Sequence, residues 1–280
     1  MKDYEQRELG FEGRVRNGQR LRRGIFLLPS IFTVANMMCG FYAVIAVLKG
    51  GVADLDYAAR AIGFAIVFDV FDGFVARATH TNTDFGKQFD SLADMVSFGI
   101  APATLAYTWG VHGMLTSDAP QARFVFQLGW IISLAYVVCC AWRLARFNVH
   151  GMAPGGSRFF VGMPTPAAAG LVAATVHAFR LPLEDWRWAV AWLVLVFGAA
   201  TLMVSAVRFR SFKDIPWARR QPSLAIVAIA FLIALIVVYS DVVLILLAGL
   251  YLVSSVVLHV VRVARQRTVS PPSHPSRPVV

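Results

Sequence analysis

The sequence predicts an all-α polytopic membrane protein of about eight transmembrane helices. Three observations carry that expectation. Of the 280 residues, 58% are hydrophobic and 15% charged, and the mean hydropathy is +0.62, beyond the apolar share of an ordinary soluble domain. Apolar runs of about 20 residues, the length that crosses a bilayer, recur along the chain. The basic residues fall almost entirely between alternate pairs of these runs.

The apolar runs occupy residues 26–48, 57–76, 89–111, 124–144, 159–179, 186–207, 222–239 and 242–261. Tyr239, Ser240 and Asp241 leave almost no connection between the last two, so a single kinked segment there is the alternative. Residues 1–24 carry Leu9, Phe11, Val15 and Leu21 among basic residues, which fits either a short amphipathic surface helix or a disordered leader in the cytosol. No cleavable secretory signal is expected, because the apolar stretch that follows continues to full membrane length. Residues 265–280, rich in Pro and Ser and without apolar periodicity, read as a disordered cytosolic tail. Cys39, Cys139 and Cys140 lie inside predicted spans and read as small buried side chains.

With a cytosolic N-terminus, the loops on that side hold 21 of the 26 Lys and Arg, leaving Lys49, Arg60, Arg123, Arg180 and Arg187 on the other face. By the positive-inside rule both termini are cytosolic. The net charge of +10 is therefore a topology signal that also favours anionic lipid headgroups, and no nucleic-acid partner is expected.

An Asp at the centre of a spanning helix costs about 2.5 to 3.5 kcal/mol on translocon scales, so acidic residues there call for an explanation. Four fall in one stretch, FDVFDGFVARATHTNTDFGKQFDSLADMVSFG. Asp69 and Asp72 are spaced i, i+3 and Asp90 and Asp94 i, i+4, so each pair projects from one face of its helix. The second and third spans form an antiparallel hairpin with a cytosolic loop, which brings both pairs to one membrane edge. Unit charges 4 Å apart repel by about 4 kcal/mol at an effective dielectric of 20, so converging carboxylates must bind cations or protons. Hard oxygen donors without His or Cys favour Mg²⁺ or Mn²⁺, with Ca²⁺ possible, and four carboxylates can bridge two such ions, an arrangement suited to phosphoryl chemistry. Gly73 and Gly86 clear space beside the acidic pairs, Arg77 offers a planar fork for phosphate, and Thr79, Thr81 and Thr83 offer hydroxyls. The parts describe a site for a diphosphate-bearing ligand at the lipid surface.

The spacing D-x₂-D-G-x₂-A-R-x₈-G-x₃-D-x₃-D, from Asp69 to Asp94, resembles the defining motif of the CDP-alcohol phosphotransferase family at all eight fixed positions. The resemblance implies a six-helix membrane core over residues 25–215, followed by two additional helices over 216–264, and displacement of CMP from a CDP-linked lipid by an acceptor hydroxyl. It further implies that Asp69 and Asp90 bridge two divalent cations, Asp72 completes the first site and Asp94 touches the second. Asp94 would also be the general base, and Gly73 and Arg77 would bind CDP, with Thr83 and Gly86 beside them. A homodimer in the bacterial cytoplasmic membrane is implied as well.

The acceptor is read from flanking segments. LPSIFTVANMMCGF, DSLADMVSFGIAPA, RLARFN, VGMPTPAAAG and SFKDI resemble those of the bacterial type II phosphatidylserine synthases, which implies CDP-diacylglycerol and L-serine as substrates and CMP as product. Related enzymes that use glycerol 3-phosphate, inositol phosphate or choline share parts of these segments. Serine needs a cation for its carboxylate and acceptors for its ammonium. Arg143 and Arg146 could supply the former with help from Asn148, unless they snorkel to lipid phosphates. Thr33 and Asn36, one turn apart in the first span, could reach cytidine or phosphate, or hydrogen-bond between helices. Ser97 is a candidate for the acceptor side, with packing as its alternative. Pro164 and Pro166 fit the first turn of the fifth span. The glycine-rich loop at Gly151, Gly155 and Gly156 could move over the pocket, with Lys213 and Asp214 joining it, and His80 and His150 read as solvated loop residues. A transporter with acids on its path is the reading from another class; it predicts mid-membrane charges and internal repeats.

Overall fold

The computed structural model describes residues 31–79, 83–116, 120–150, 159–205, 208–210, 235, 238–251, 253 and 254. Seven helices run from α1 (Ile31–Lys49) through α2 (Val52–Thr79), α3 (Asp84–Asp94), α4 (Ala101–Gly110), α5 (Pro120–His150), α6 (Thr165–Phe179) and α7 (Trp186–Val204). A short helix α8 (Ser240–Tyr251) follows. Helices thus stand at each of the first six predicted spans and over part of the eighth, whereas most of 222–239 lies outside the described residues. Helical bonds flank the junction at Tyr239, which donates to Leu235 O at 2.9 Å and accepts from Val243 N at 3.0 Å.

α1, α5 and α7 are long and apolar enough to cross a membrane. At 1.5 Å per residue α2 is about 42 Å long, also enough, but it carries the charges discussed below. Large apolar side chains such as Phe41, Phe64, Phe74, Trp142 and Val194 are exposed around the bundle, a surface suited to lipid. Inside, small residues dominate: Ala43, Ala58, Ala65, Ala101, Ala168 and Ala200 are fully buried, letting backbones approach closely. Extensive interfaces pair α5 with α7 and α2 with α6. Trp192 of α7 donates to Ala106 O at 2.9 Å and meets Trp109 edge-on, with ring centroids 5.0 Å apart. Its ring occupies the space that a side chain at Gly110 would fill.

Two departures from the sequence reading affect the site. The predicted fifth span began at residue 159, but Phe159–Val161 forms strand β1, paired antiparallel with β2 (Arg208–Arg210) in the register Phe160 to Phe209. Gly162, at φ +82°, turns the chain beneath the carbonyl of Met203, and α6 starts only after Pro164, with Pro166 in its first turn. The second departure is a π-helical segment at Met95–Ile100 between α3 and α4, where Ala101 N–H reaches back to Val96 O, five residues earlier. Pro102 follows directly, and a proline has no N–H to give residue 98 and crowds that turn, which favours the wider winding.

Candidate metal and phosphate site

α2 carries Asp69 and Asp72, and α3 carries Asp90 and Asp94. Thr83 starts α3 as its N-cap: the hydroxyl accepts from Gly86 N at 3.0 Å, and Asp84 lies in the first turn, where negative charge suits the helix dipole. A Cβ at Gly86 would sit 3.0 Å from that hydroxyl, so the glycine serves the cap.

One carboxylate oxygen from each of Asp69, Asp90 and Asp94 lies within 4.8 Å of the others. Asp72 is buried beside Asp90, close enough for their carboxyls to interact, and receives a hydrogen bond from the Thr33 hydroxyl of α1. Asp94 is buried and accepts from Asn36 Nδ2 at 3.1 Å. Asp90 Oδ1 is buried without a hydrogen-bond partner among the described residues. An orphaned acceptor inside a group of hard anionic oxygens fits a divalent cation. The cluster can chelate such an ion, which would balance charges that otherwise repel one another.

Thr33 and Asn36 therefore hydrogen-bond between helices, each holding one aspartate from α1. The π segment supplies another support: Ser97, fully buried, donates to Asn36 O at 2.9 Å. α5 packs against the π segment and α3. Arg143 lies near enough to Asp94 for their charges to interact, and its Nε is buried with no partner among the described residues. Arg146 donates Nη1 to Val204 O at 3.1 Å. Asn148 donates to Ser91 Oγ at 2.9 Å and Gln88 Oε1 at 3.3 Å, tying the end of α5 to α3. Gly73 is half-buried on α2 next to Asp72. The side chains of Arg77, Thr79 and His150, together with His80, Thr81, Gly151, Gly155, Gly156, Lys213 and Asp214, lie outside the described residues.

The comparisons with known proteins bear on this geometry. The family description CDP-alcohol phosphatidyltransferase matches residues 26–204, which include all four aspartates, Thr33, Asn36 and Arg143. The chain belongs to this family. Relatives include a CDP-diacylglycerol-serine O-phosphatidyltransferase of Mycobacterium tuberculosis, 34% identical over 197 residues, covering 67% of this chain and 63% of the relative. The Helicobacter pylori protein of the same description is 30% identical over 194 residues, covering 69% and 76%. An archaetidylserine synthase of Methanothermobacter thermautotrophicus is 32% identical over 184 residues, covering 65% and 69%. The match thus spans less than two thirds of the mycobacterial relative's own length. α8 lies beyond the stretch that the family description matches.

Sequence reading passed over a second polar network at the far end of α2. His177 of α6 is buried, contacting Asp56 through Nδ1, and Ser240 Oγ (2.9 Å) and Asp241 Oδ1 (3.0 Å) through Nε2. Arg60 and Arg180 flank it at 2.7 Å from Asp56 and Asp241. The available signal was an ionisable residue inside a predicted span, which by itself asks for a partner.

Proposed function

We propose that this protein is a phosphatidylserine synthase that transfers the phosphatidyl group from CDP-diacylglycerol to L-serine and releases CMP. The observation that carries the reading is the convergence of Asp69, Asp90 and Asp94 in a chain of this family. The choice of serine is supported by the descriptions of the relatives reported above, which name serine or archaetidylserine.

Asp69 and Asp90 would hold two divalent cations, Mg²⁺ or Mn²⁺, with Asp72 and Asp94 completing one site each. When bound, the ions would neutralise the oxygens of the diphosphate. Gly73 and Arg77 would receive the CDP moiety, with Thr83 and Gly86 shaping the turn beside it. Asp94, oriented by Asn36, takes the proton of the serine hydroxyl as its oxygen bonds to the lipid-linked phosphorus and the bond from phosphorus to CMP breaks. The substrate would enter laterally from the cytosolic leaflet of the bacterial cytoplasmic membrane. Eight spans, a six-helix core over residues 25–215, cytosolic termini and a homodimer belong to this reading.

Purified protein in lipid nanodiscs with CDP-diacylglycerol and Mg²⁺ or Mn²⁺ tests it against serine, glycerol 3-phosphate, inositol phosphate and choline. CMP release with serine is expected. Release with another of these acceptors and none with serine overturns the acceptor assignment; metal-independent release overturns the site.

A further inference from the structure

Two buried polar atoms beside Asp94 have no partner among the described residues: Asn36 Oδ1, an acceptor, and Arg143 Nε, a donor. Both belong to side chains near Asp94: Asn36 of α1 is hydrogen-bonded to it, and Arg143 of α5 is near enough for their charges to interact. Asn36 turns its amide nitrogen to Asp94, and the carbonyl oxygen is left pointing elsewhere. Asn36 is fully buried and pinned through its own backbone carbonyl by Ser97, so that oxygen cannot turn to solvent. Leaving such groups unmatched is unfavourable by roughly 1 to 3 kcal/mol each, which marks them as places where a ligand belongs.

Serine carries its hydroxyl, ammonium and carboxylate on two adjacent carbons, so whatever recognises the three groups must surround one point. Resting on the serine reading above, we propose that Asn36 Oδ1 and Arg143 Nε are the two arms of a clamp for the acceptor's ammonium and carboxylate, which delivers its hydroxyl to Asp94. The described hydrogen bonds of Arg146 and Asn148 fasten the end of α5 to α7 and α3. Asn36 then does two things with one amide, fixing the base through nitrogen and the substrate through oxygen.

The test uses full-length protein in nanodiscs with CDP-diacylglycerol and Mn²⁺, and three acceptors: serine, ethanolamine without the carboxylate, and 3-hydroxypropanoate without the ammonium. A site built around both groups should disfavour each truncated acceptor by about 100-fold or more in kcat/KM. In Arg143→Gln, the KM for serine should rise by at least about 30-fold and the ratio of serine to ethanolamine in kcat/KM should fall by at least about 10-fold, while the KM for CDP-diacylglycerol should stay within about twofold. Arg143→Lys, which keeps the charge, should recover part of the loss. In Asn36→Ala, poorer orientation of Asp94 lowers kcat for every acceptor, so the ratio of serine to 3-hydroxypropanoate isolates the clamp; it should fall by at least about 10-fold.

Equal use of ethanolamine and serine by the unmodified protein overturns the proposal without any variant. So does a rise in KM for CDP-diacylglycerol that matches the rise for serine, since Arg143 would then hold the nucleotide lipid. If the unmodified protein releases CMP only with glycerol 3-phosphate or another non-amino-acid acceptor, the serine reading fails and the clamp fails with it. If serine is used but its KM ignores Arg143, the clamp alone fails.

Discussion

Gly40 of α1 lies against the backbone of Ser97 so closely that a Cβ on it would fall 2.6 Å from Ser97 Cα. That contact sets the depth at which α1 enters the bundle, and the same helix carries Thr33 and Asn36 to Asp72 and Asp94. Gly40→Ala should force α1 outward, destabilising the protein by about 1 to 3 kcal/mol. CMP release should fall more than the melting temperature does, because the hydrogen bond from Asn36 to Asp94 is lost before the fold is. Equal activity at equal protein yield would show that the crossing has slack.

The Thr33 hydroxyl is the hydrogen-bond donor that α1 supplies to Asp72. Thr33→Val keeps the side-chain shape and removes the donor. Groups that orient a metal ligand typically change affinity by about 10- to 100-fold when removed. Mn²⁺ affinity, followed by electron paramagnetic resonance in the absence of substrate, should weaken by about 10-fold. If Thr33 instead touched the nucleotide, metal affinity would hold and only the KM for CDP-diacylglycerol would move.

The parts of the site that were legible in the sequence were those that violate the membrane's rules locally. Four aspartates in apolar helices are conspicuous because each is unfavourable there, and their i, i+3 and i, i+4 spacing assigns them to faces. Thr33 and Asn36 were visible as polar residues, but not their partners, which lie 39 and 58 residues away and depend on how α1 crosses the hairpin. The π segment left only a faint trace, Pro102, because the phase of helical hydrogen bonding is not written in hydropathy. Strand β1 was read as the start of a helix for a related reason: Phe159, Phe160 and Val161 continue an apolar run, and a run alone does not separate strand from helix. Gly162 and Pro164 were the punctuation that separates them.

Asp90 is the half-buried member of the quartet whose Oδ1 has no described partner. Asp90→Asn replaces an anionic donor by a neutral amide at similar volume, leaving the packing intact. Two Mn²⁺ per chain are expected for the unmodified protein, and the variant should lose tight binding of at least one, with CMP release reduced on the order of 1,000-fold. Chelation of the unmodified protein should stop CMP release and lower its melting temperature, since an ion that binds only the folded state stabilises it by mass action. A variant with normal stoichiometry and near-normal turnover would sink the metal assignment.

The network around His177 lies about 20 Å from Asp69 along α2, thirteen residues away at 1.5 Å each. It joins α2, α6 and α8 through Asp56, His177 and Asp241, with Arg60 and Arg180 at its ends. His177→Leu leaves Asp56 and Asp241 each with an arginine but removes the ring that bridges them. Breaking a buried, paired network of this kind is unfavourable by about 3 to 5 kcal/mol at most, and the exposure of Asp241 places the value toward the lower end. The consequence should be local: limited proteolysis should cut near Ser240 sooner, and α8 should lose hydrogen-exchange protection, while the KM for CDP-diacylglycerol stays unchanged. Unaltered protection of α8 would mean that its apolar contacts alone, including Tyr251 against the main core, hold it in place.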